Sequence, residues 1–590
     1  LNIGSASTEN LAPVLLKIPP FVRHIPDLGK VRLAWSAIEP FIPDASTDPA
    51  IHLMLRENIG GLFWAPDITV SRRSIICAPA DPRKAARLWE VAREAREAAN
   101  LTLVLPNNAR HWHSLRERAI SDGGFVTCSD VNPWSIIRNG QEIITCSDVT
   151  EALPALGSLA GLSLWCLDEA MLWPGAADGD AQGKAAALVI NATCYRSPFT
   201  GEVIQADEAV GLLIEWRDIM RRNRSVAVCA GMAWWKQDRI AEFFATADEH
   251  RPRPFFRRGT KAAIALARRH AGGIAVWSTR MPRQLEHSAH ETGMTLYRVE
   301  DGFIRSAGLG SGMLPPASII VDRAGIYYDP AKPSDLEILL SSHPLGTDLQ
   351  ARVRRLMDRV ISEGVSKYAR GGMPPELGAP AGKRVILVPG QVADDLSVLL
   401  GGSGQGGNLE LLRRVRASEP EAFIVYRPHP DVDAGHRAGA IPDDVVLTLA
   451  DRICREGGMA PLLDAVDEVH TLTSLTGFEA LMRGKSVTTY GQPFYAGWGL
   501  TQDRTPVIRR NRILTIEQLA AATLLLYPRY IDPLTRLPCG PEVLVSRFAM
   551  TELWRPSPLM RLRRYQGICI RTLRRGIQNI CRRLSPDRGF

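Results

Sequence analysis

Short apolar runs alternate with amphipathic stretches along most of this chain, a pattern that predicts parallel α/β structure. Residues 59–64 and 101–106 read as strands, with a helix over 82–100 between them. The alternation restarts at 226–231, a strand and glycine turn, and continues with helices over 237–247 and 259–270. Strands follow at 273–277 and 295–299, then a hairpin of 317–321 with 325–328, then a helix over 336–364 broken near 341–346. Another α/β unit begins at 385–389 and carries strands at 423–426 and 445–449.

One stretch, 469–503, gathers several signals. Val469, Thr471 and Thr473 alternate as in a strand, and Thr473 or Ser474 can cap the helix that follows. Gly484 sits where a C-terminal cap glycine belongs, before a strand at 486–490 and the glycine- and aromatic-rich loop 491–499. A strand feeding a hydroxyl-capped helix offers backbone N–H groups to an anion, with the aromatic loop as wall or lid; an ordinary βα turn reads the same way.

These elements group into regions. Residues 1–50, rich in proline, form an irregular leader; 51–224 an α/β region; 225–370 and 384–554 two Rossmann-like domains joined by a linker at 371–383. Residues 194–201 echo 527–535, and 101–106 echo 385–389. Either 51–224 is a worn copy of the C-terminal unit, or two α/β units resemble each other by chance.

At 590 residues the chain exceeds one ordinary core, and its ten cysteines show no CxxC pairing, which indicates neither zinc nor a disulfide framework. The start shows no signal-peptide pattern, and no long apolar run suggests a membrane span. The net charge of +8 is concentrated at 555–590, with ten arginines against one acid, Asp587. Apolar positions recur there at helical spacing, as in a basic amphipathic helix lying on an anionic membrane; a solvated or partner-bound tail and a nucleic-acid contact are the alternatives.

Four clusters carry candidate chemistry. Glu300 and Asp301 follow a strand, where open α/β sheets bind ligands, and Arg305 beyond them can hold a carboxylate. Gln391, Asp394 and Asp395 follow another strand; a carboxylate there can act as nucleophile or base, or merely cap a turn. The glycine-rich run 401–407 lacks the lysine of a P-loop, which argues against ATP hydrolysis. Prolines on both sides hold His429 extended, and in the capped helix Glu479 can reach a ribose hydroxyl or close a capping box.

In this order, EDGFIRS at 300–306, YYDPAKPS at 327–334, QVADDLS at 391–397 and RPHP at 427–430 resemble the capsule polysaccharide biosynthesis KpsC/LipB family. TSLTGFEALMRGK at 473–485 and GQPFYAGWGLTQD at 491–503 complete the match, over about 225–550. The resemblance implies a GT-B type fold, two Rossmann-like domains around a cleft, and a retaining transfer of β-Kdo from CMP-β-Kdo. The acceptor it implies is a lipid-linked Kdo in capsular polysaccharide (K-antigen) linker assembly, with no metal and no further cofactor. Asp395 takes the family's catalytic acidic position, with His429 beside it. His429, Pro430, Thr473, Ser474, Gly477 and Glu479 would bind CMP, while Glu300, Asp301, Arg305, Gln391 and Gln492 would face the acceptor or sugar. Residues 1–224 lack these motifs, so one active site is expected, with 51–224 the degenerate remnant of a first module. Expected partners are the lipid-linked oligosaccharide, the anionic inner-membrane surface and other capsule assembly proteins, not nucleic acid. The expected location is cytoplasmic, peripheral on the inner membrane. The competing readings are a transferase for another nucleotide sugar and a non-catalytic assembly or export component.

Overall fold

The computed structural model describes residues 14–21, 29–31, 48–146, 152–168, 171–174, 178–248, 251–282, 284–306, 314–367, 372–373, 375–404, 406–435 and 437–555. The basic tail beyond Arg555, most of the leader, and Gly371 and Pro374 of the linker lie outside them. The described residues form two units, one from residues up to 224 with 244–253, the other from 225–243 with 254–555. Both are α/β. Among the described residues no helix is long and apolar enough to cross a membrane.

In the first unit the strands Ser74–Cys77, Leu101–Leu105, Phe125–Cys128, Glu142–Cys146 and Ser163–Asp168 are parallel, and Met171–Pro174 closes the edge antiparallel. Residues 59–64, expected as a strand, are a turn instead. Asn58 in the left-handed conformation ends the helix Pro49–Glu57, and Gly60 and Gly61 at φ +134° and +59° turn the chain away from extended geometry. A small antiparallel sheet joins Gly29–Val31, Thr193–Arg196 and Val203–Ile204.

The second unit holds two sheets. In the seven-stranded one, Phe255–Arg257, Val226–Ala230, Gly273–Trp277 and Leu296–Asp301 lie side by side and parallel. Ser318–Asp322, Pro528–Ile531 and Pro538–Cys539 extend it antiparallel. The expected hairpin at 317–328 does not form. Fully buried Asp322 accepts the N–H of Gly325 at 2.7 Å, that of Asp335 at 3.0 Å and the Tyr527 hydroxyl at 2.6 Å, which folds 323–335 into a compact turn.

The six-stranded sheet is parallel throughout, in the order Arg452–Ile453, Phe423–Arg427, Val385–Pro389, Glu468–Thr471, Ser486–Thr489, Gln502–Asp503. Val385–Pro389 is buried along its whole length, as its unbroken apolar run requires of a central parallel strand. Residues 445–449 are not the expected strand: Pro442 starts the short helix Asp443–Leu447, and the edge strand follows it. Numbered along the chain the order is 3-2-1-4-5-6, so the connections reverse direction between Val385–Pro389 and Glu468–Thr471. At such a switch point the strand ends open a crevice that ligands use.

The hairpin echo has a structural counterpart. Tyr195 pairs with Ile204 and Tyr530 with Cys539, and the neighbouring strands set Gly29 against Tyr195 and Ser318 against Tyr530. The turns share their bonds, Gly201 N–H to Ser197 O and Arg536 N–H to Asp532 O, both at 2.8 Å.

Candidate functional site

The loops at the switch point are tied by one side chain. The Gln391 amide donates to Thr473 Oγ1 at 2.8 Å and accepts the Thr473 N–H at 3.0 Å and the Thr471 hydroxyl at 3.3 Å. Gln391 thus braces the loop that carries Thr473 and Ser474. Ser474 caps the helix Leu475–Met482, its Oγ accepting the Thr476 N–H at 3.2 Å. Gly477 on that helix is buried and is not part of the cleft wall; a Cβ there would meet the Tyr495 hydroxyl at 2.3 Å. That hydroxyl donates to Ser474 O at 2.5 Å, so the glycine lets the aromatic loop brace the helix start.

The aromatic loop is a wall. Tyr495 and Trp498 are buried, and buried Arg510 donates to Pro493 O at 2.6 Å and Ala496 O at 2.8 Å. Phe494 packs against Phe303 of the other sheet's loops, ring centroids 4.9 Å apart and planes tilted by 44°. Gln492 turns away into its own loop, donating to Pro506 O at 2.9 Å, and is not among the cleft residues.

Asp395 caps the short helix Leu396–Gly401, its carboxylate accepting the Ser397 N–H and hydroxyl, both at 3.0 Å. His429 caps the next strand's exit: Nδ1 accepts the Asp431 N–H at 3.2 Å, which assigns the neutral ring's proton to Nε2. Burial lowers the His429 pKa against the opposing charges of Asp431 and Asp395, so the neutral form prevails.

From the seven-stranded sheet come Glu300 and Asp301. Burial, reinforced by the charge of Asp301, pushes Glu300 up to about 7. Burial also acts on Asp301, but Arg305 and Lys236 outweigh it and hold that carboxyl below its ordinary value. Arg305 is fully buried, with Nε 2.9 Å from Asp301 Oδ2 and further bonds to Ser306 Oγ and Leu314 O. It is a brace for Asp301 and does not line the cleft. Glu479 is buried too, raised to about 7 by desolvation, and accepts the Lys367 N–H at 3.2 Å.

One cavity of about 760 Å³ brings these groups together, lined by Glu300, Asp301, Gln391, Asp395, His429, Pro430, Thr473, Ser474 and Glu479. Sequence reasoning missed Trp235, Lys236, Trp277, Arg280, Lys367 and Arg437, which line it as well. The first of these had a signal: Trp-Trp-Lys follows a strand and a glycine turn, at the sheet edge where ligands bind. Among the described residues no cluster of histidine, cysteine and acid side chains is arranged for a metal ion.

The family described as capsule polysaccharide biosynthesis protein matches residues 273–374 and 374–530. LipA, a capsule polysaccharide modification protein of Neisseria meningitidis, is 39% identical over 351 residues, 59% of this chain and 49% of LipA. The chain thus spans about half the length of that relative. LpsZ, a lipopolysaccharide-processing protein of Rhizobium meliloti, is 38% identical over 311 residues, 52% of this chain and 70% of LpsZ. Among solved structures, the Thermosulfurimonas dismutans KpsC β-Kdo 2,7 transferase is 32% identical, covering 55% of this chain and 99% of that one at a TM-score of 0.45. The β-Kdo 2,4 transferase of the same KpsC is 34% identical over 50% of this chain and 91% of that one, also at 0.45. With its motifs on one cleft and these relatives beside it, the chain belongs to the capsule polysaccharide biosynthesis protein family.

Proposed function

We propose that the second unit is a retaining glycosyltransferase of GT-B type that moves β-Kdo from CMP-β-Kdo to a lipid-linked Kdo acceptor during capsular linker assembly. The observation that carries this reading is the meeting of Asp395, His429 and Ser474 at the parallel sheet's switch point, on one cavity with Glu300. The Asp395 carboxylate attacks the anomeric carbon, whose bond to the phosphate oxygen breaks with both electrons leaving on CMP. His429 donates its Nε2 hydrogen bond to the departing phosphate. A phosphate monoester with a second pKa of about 6 leaves without full protonation, so a neutral imidazole suffices. The Ser474 helix start and Thr473 hold the same phosphate, and Glu479 the ribose. The acceptor hydroxyl then displaces Asp395 from the same carbon, Glu300 takes its proton, and two inversions give net retention.

CMP-Kdo supplied with a synthetic Kdo-terminated lipid tests this, product being followed by mass and NMR. A β-linked product that Asp395→Ala abolishes is expected; no transfer by the wild type overturns the reading. We read residues 51–224 as the remnant of a first module, because its six-stranded sheet also runs 3-2-1-4-5-6 in chain order and its hairpin shares the register of the second. A protein of residues 1–224 should then show no transfer. Residues 556–590 we read as the contact with an anionic membrane. Deleting them should release the protein from the membrane fraction, and its retention there would refute that role.

A further inference from the structure

Among the described residues the two most exposed large apolar side chains, Ile508 at 95% and Ile513 at 84%, stand in one loop. Single exposed apolar residues are ordinary on a protein surface, but this pair is held out by its own framework. Each has a neighbour that turns inward: Val507 beside Ile508 and Leu514 beside Ile513 are buried. The N–H of buried Arg510 donates to Val507 O and that of Leu514 to Trp498 O, both at 3.0 Å. The loop is thus pinned to the aromatic wall from beneath, while both isoleucines stay in water.

The surroundings are strongly positive. Residues 504–513 carry four arginines and no acid. Arg509 and Arg510 share one carboxylate, Glu337, with Arg510 Nε at 3.0 Å from it. Arg512 spends its guanidinium on the carbonyls of Leu340 at 3.0 Å and His343 at 3.3 Å, which leaves its charge uncompensated. Arg504 is exposed at the exit of the strand Gln502–Asp503. Its neighbour Asp503 turns inward, accepting the Thr489 hydroxyl and the Gly497 N–H, both at 2.8 Å. Apolar tips set among surplus arginines match an anionic bilayer, whose interface takes up the first and whose phosphates attract the second. A second copy of this chain meeting the loop about a two-fold axis would set arginine against arginine.

The loop also borders the cleft. Gln492 Nε2 donates to Pro506 O at 2.9 Å, and Arg510 donates to the carbonyl of Pro493, which lines the cavity with Phe494. The Gln492 N–H reaches Gly401 O at 2.7 Å, which brings up the end of the helix that Asp395 caps, where Leu399 and Leu400 are exposed as well.

We infer that Leu399, Leu400, Ile508 and Ile513 form a rim that docks the second unit on an anionic bilayer, with Arg504 at the headgroup phosphates and the cleft beside the lipid surface. This contact is separate from the one read into residues 556–590 and does not rest on the transferase reading. It fixes which face of the unit meets the membrane.

The test uses the full chain with vesicles of phosphatidylglycerol and phosphatidylcholine in equal parts. Photoreactive p-benzoylphenylalanine replaces Ile508, Ile513 or, as a control, Leu447, an exposed apolar residue at the strand-start end of the same sheet. On irradiation, lipid adducts should form at 508 and 513 about tenfold more than at 447. Ile508→Ser with Ile513→Ser should weaken vesicle binding about tenfold without altering the thermal melt. Arg504→Gln should weaken it about fivefold, an effect that disappears on phosphatidylcholine alone. Equal adduct yields at the three positions overturn the rim, as does vesicle binding that the serine variant leaves unchanged. Adducts at 508 to another protein chain and none to lipid would overturn it in favour of a protein interface.

Discussion

Gln391 grips Thr473 twice across the switch point, donating to its hydroxyl at 2.8 Å and accepting its N–H at 3.0 Å. A residue from one strand end thereby fixes the approach to the helix start that follows another. Gln391→Ala removes both bonds at a net cost of about 1–2 kcal/mol, much of it as loosened geometry at Thr473 and Ser474. CMP binding should weaken about tenfold by calorimetry; unchanged affinity would mean the loop is fixed without Gln391.

Glu479 makes stability depend on pH in an unusual direction. Its folded pKa of about 7 lies above the ordinary 4.5, so the folded state holds a proton that the unfolded chain releases. Stability therefore falls as pH rises from about 4.5 to 7 and levels off above that. Glu479→Gln removes this penalty. At pH 8 its Tm should exceed that of the wild type, and its profile between pH 5 and 8 should be flatter. Parallel profiles for the two proteins would show that burial of this carboxyl has no such effect.

Glu300 and His429 should separate kinetically. As the acceptor's base, Glu300 works only when deprotonated, so the transfer rate should climb with pH through about 7, and the climb should vanish in Glu300→Gln. His429→Ala should lower kcat about 10²–10³-fold by removing a donor to the leaving phosphate. His429→Gln, whose amide nitrogen can reach the place of Nε2, should recover part of the loss. Recovery by His429→Asn instead would place the important contact at Nδ1.

Asp532 and Arg547 form a buried pair, Nε to Oδ1 at 2.8 Å and a second bond at 2.9 Å. Replacing Asp532 alone by serine strands the guanidinium and should cost about 3–5 kcal/mol. With Arg547→Met added, most of that loss should return in denaturant melts. An equally unstable double variant would show that the pair contributes more than mutual neutralisation.

Much of the site was legible because its residues sit where sequence punctuation is strongest, at strand ends marked by glycine, proline or a capping hydroxyl. Asp395, His429 and Ser474 each cap a helix directly after a strand or its loop, and the local pattern shows that much. Roles fixed by long-range packing were not legible. Gly477 makes room for Tyr495, Gln492 reaches Pro506, and Arg305 is spent on Asp301; none of these partners is visible in local spacing. The same limit explains the hairpin expected at 317–328. Nothing in that stretch announces that Asp322 is a buried acceptor for Tyr527, some 205 residues away.

The paired hairpins amount to an experiment already run inside one chain. Tyr195–Ile204 and Tyr530–Cys539 keep one register and one turn, yet Ser197 stands where Asp532 accepts its arginine. Ser197 retains the local bond, its Oγ accepting the Thr200 N–H at 3.3 Å, just as Asp532 accepts that of Thr535 at 3.3 Å. The backbone and one short oxygen-bearing side chain are therefore enough to specify the shape. The buried Asp532–Arg547 pair is an addition in the second hairpin and not a requirement of its turn, costly only when one partner is removed alone.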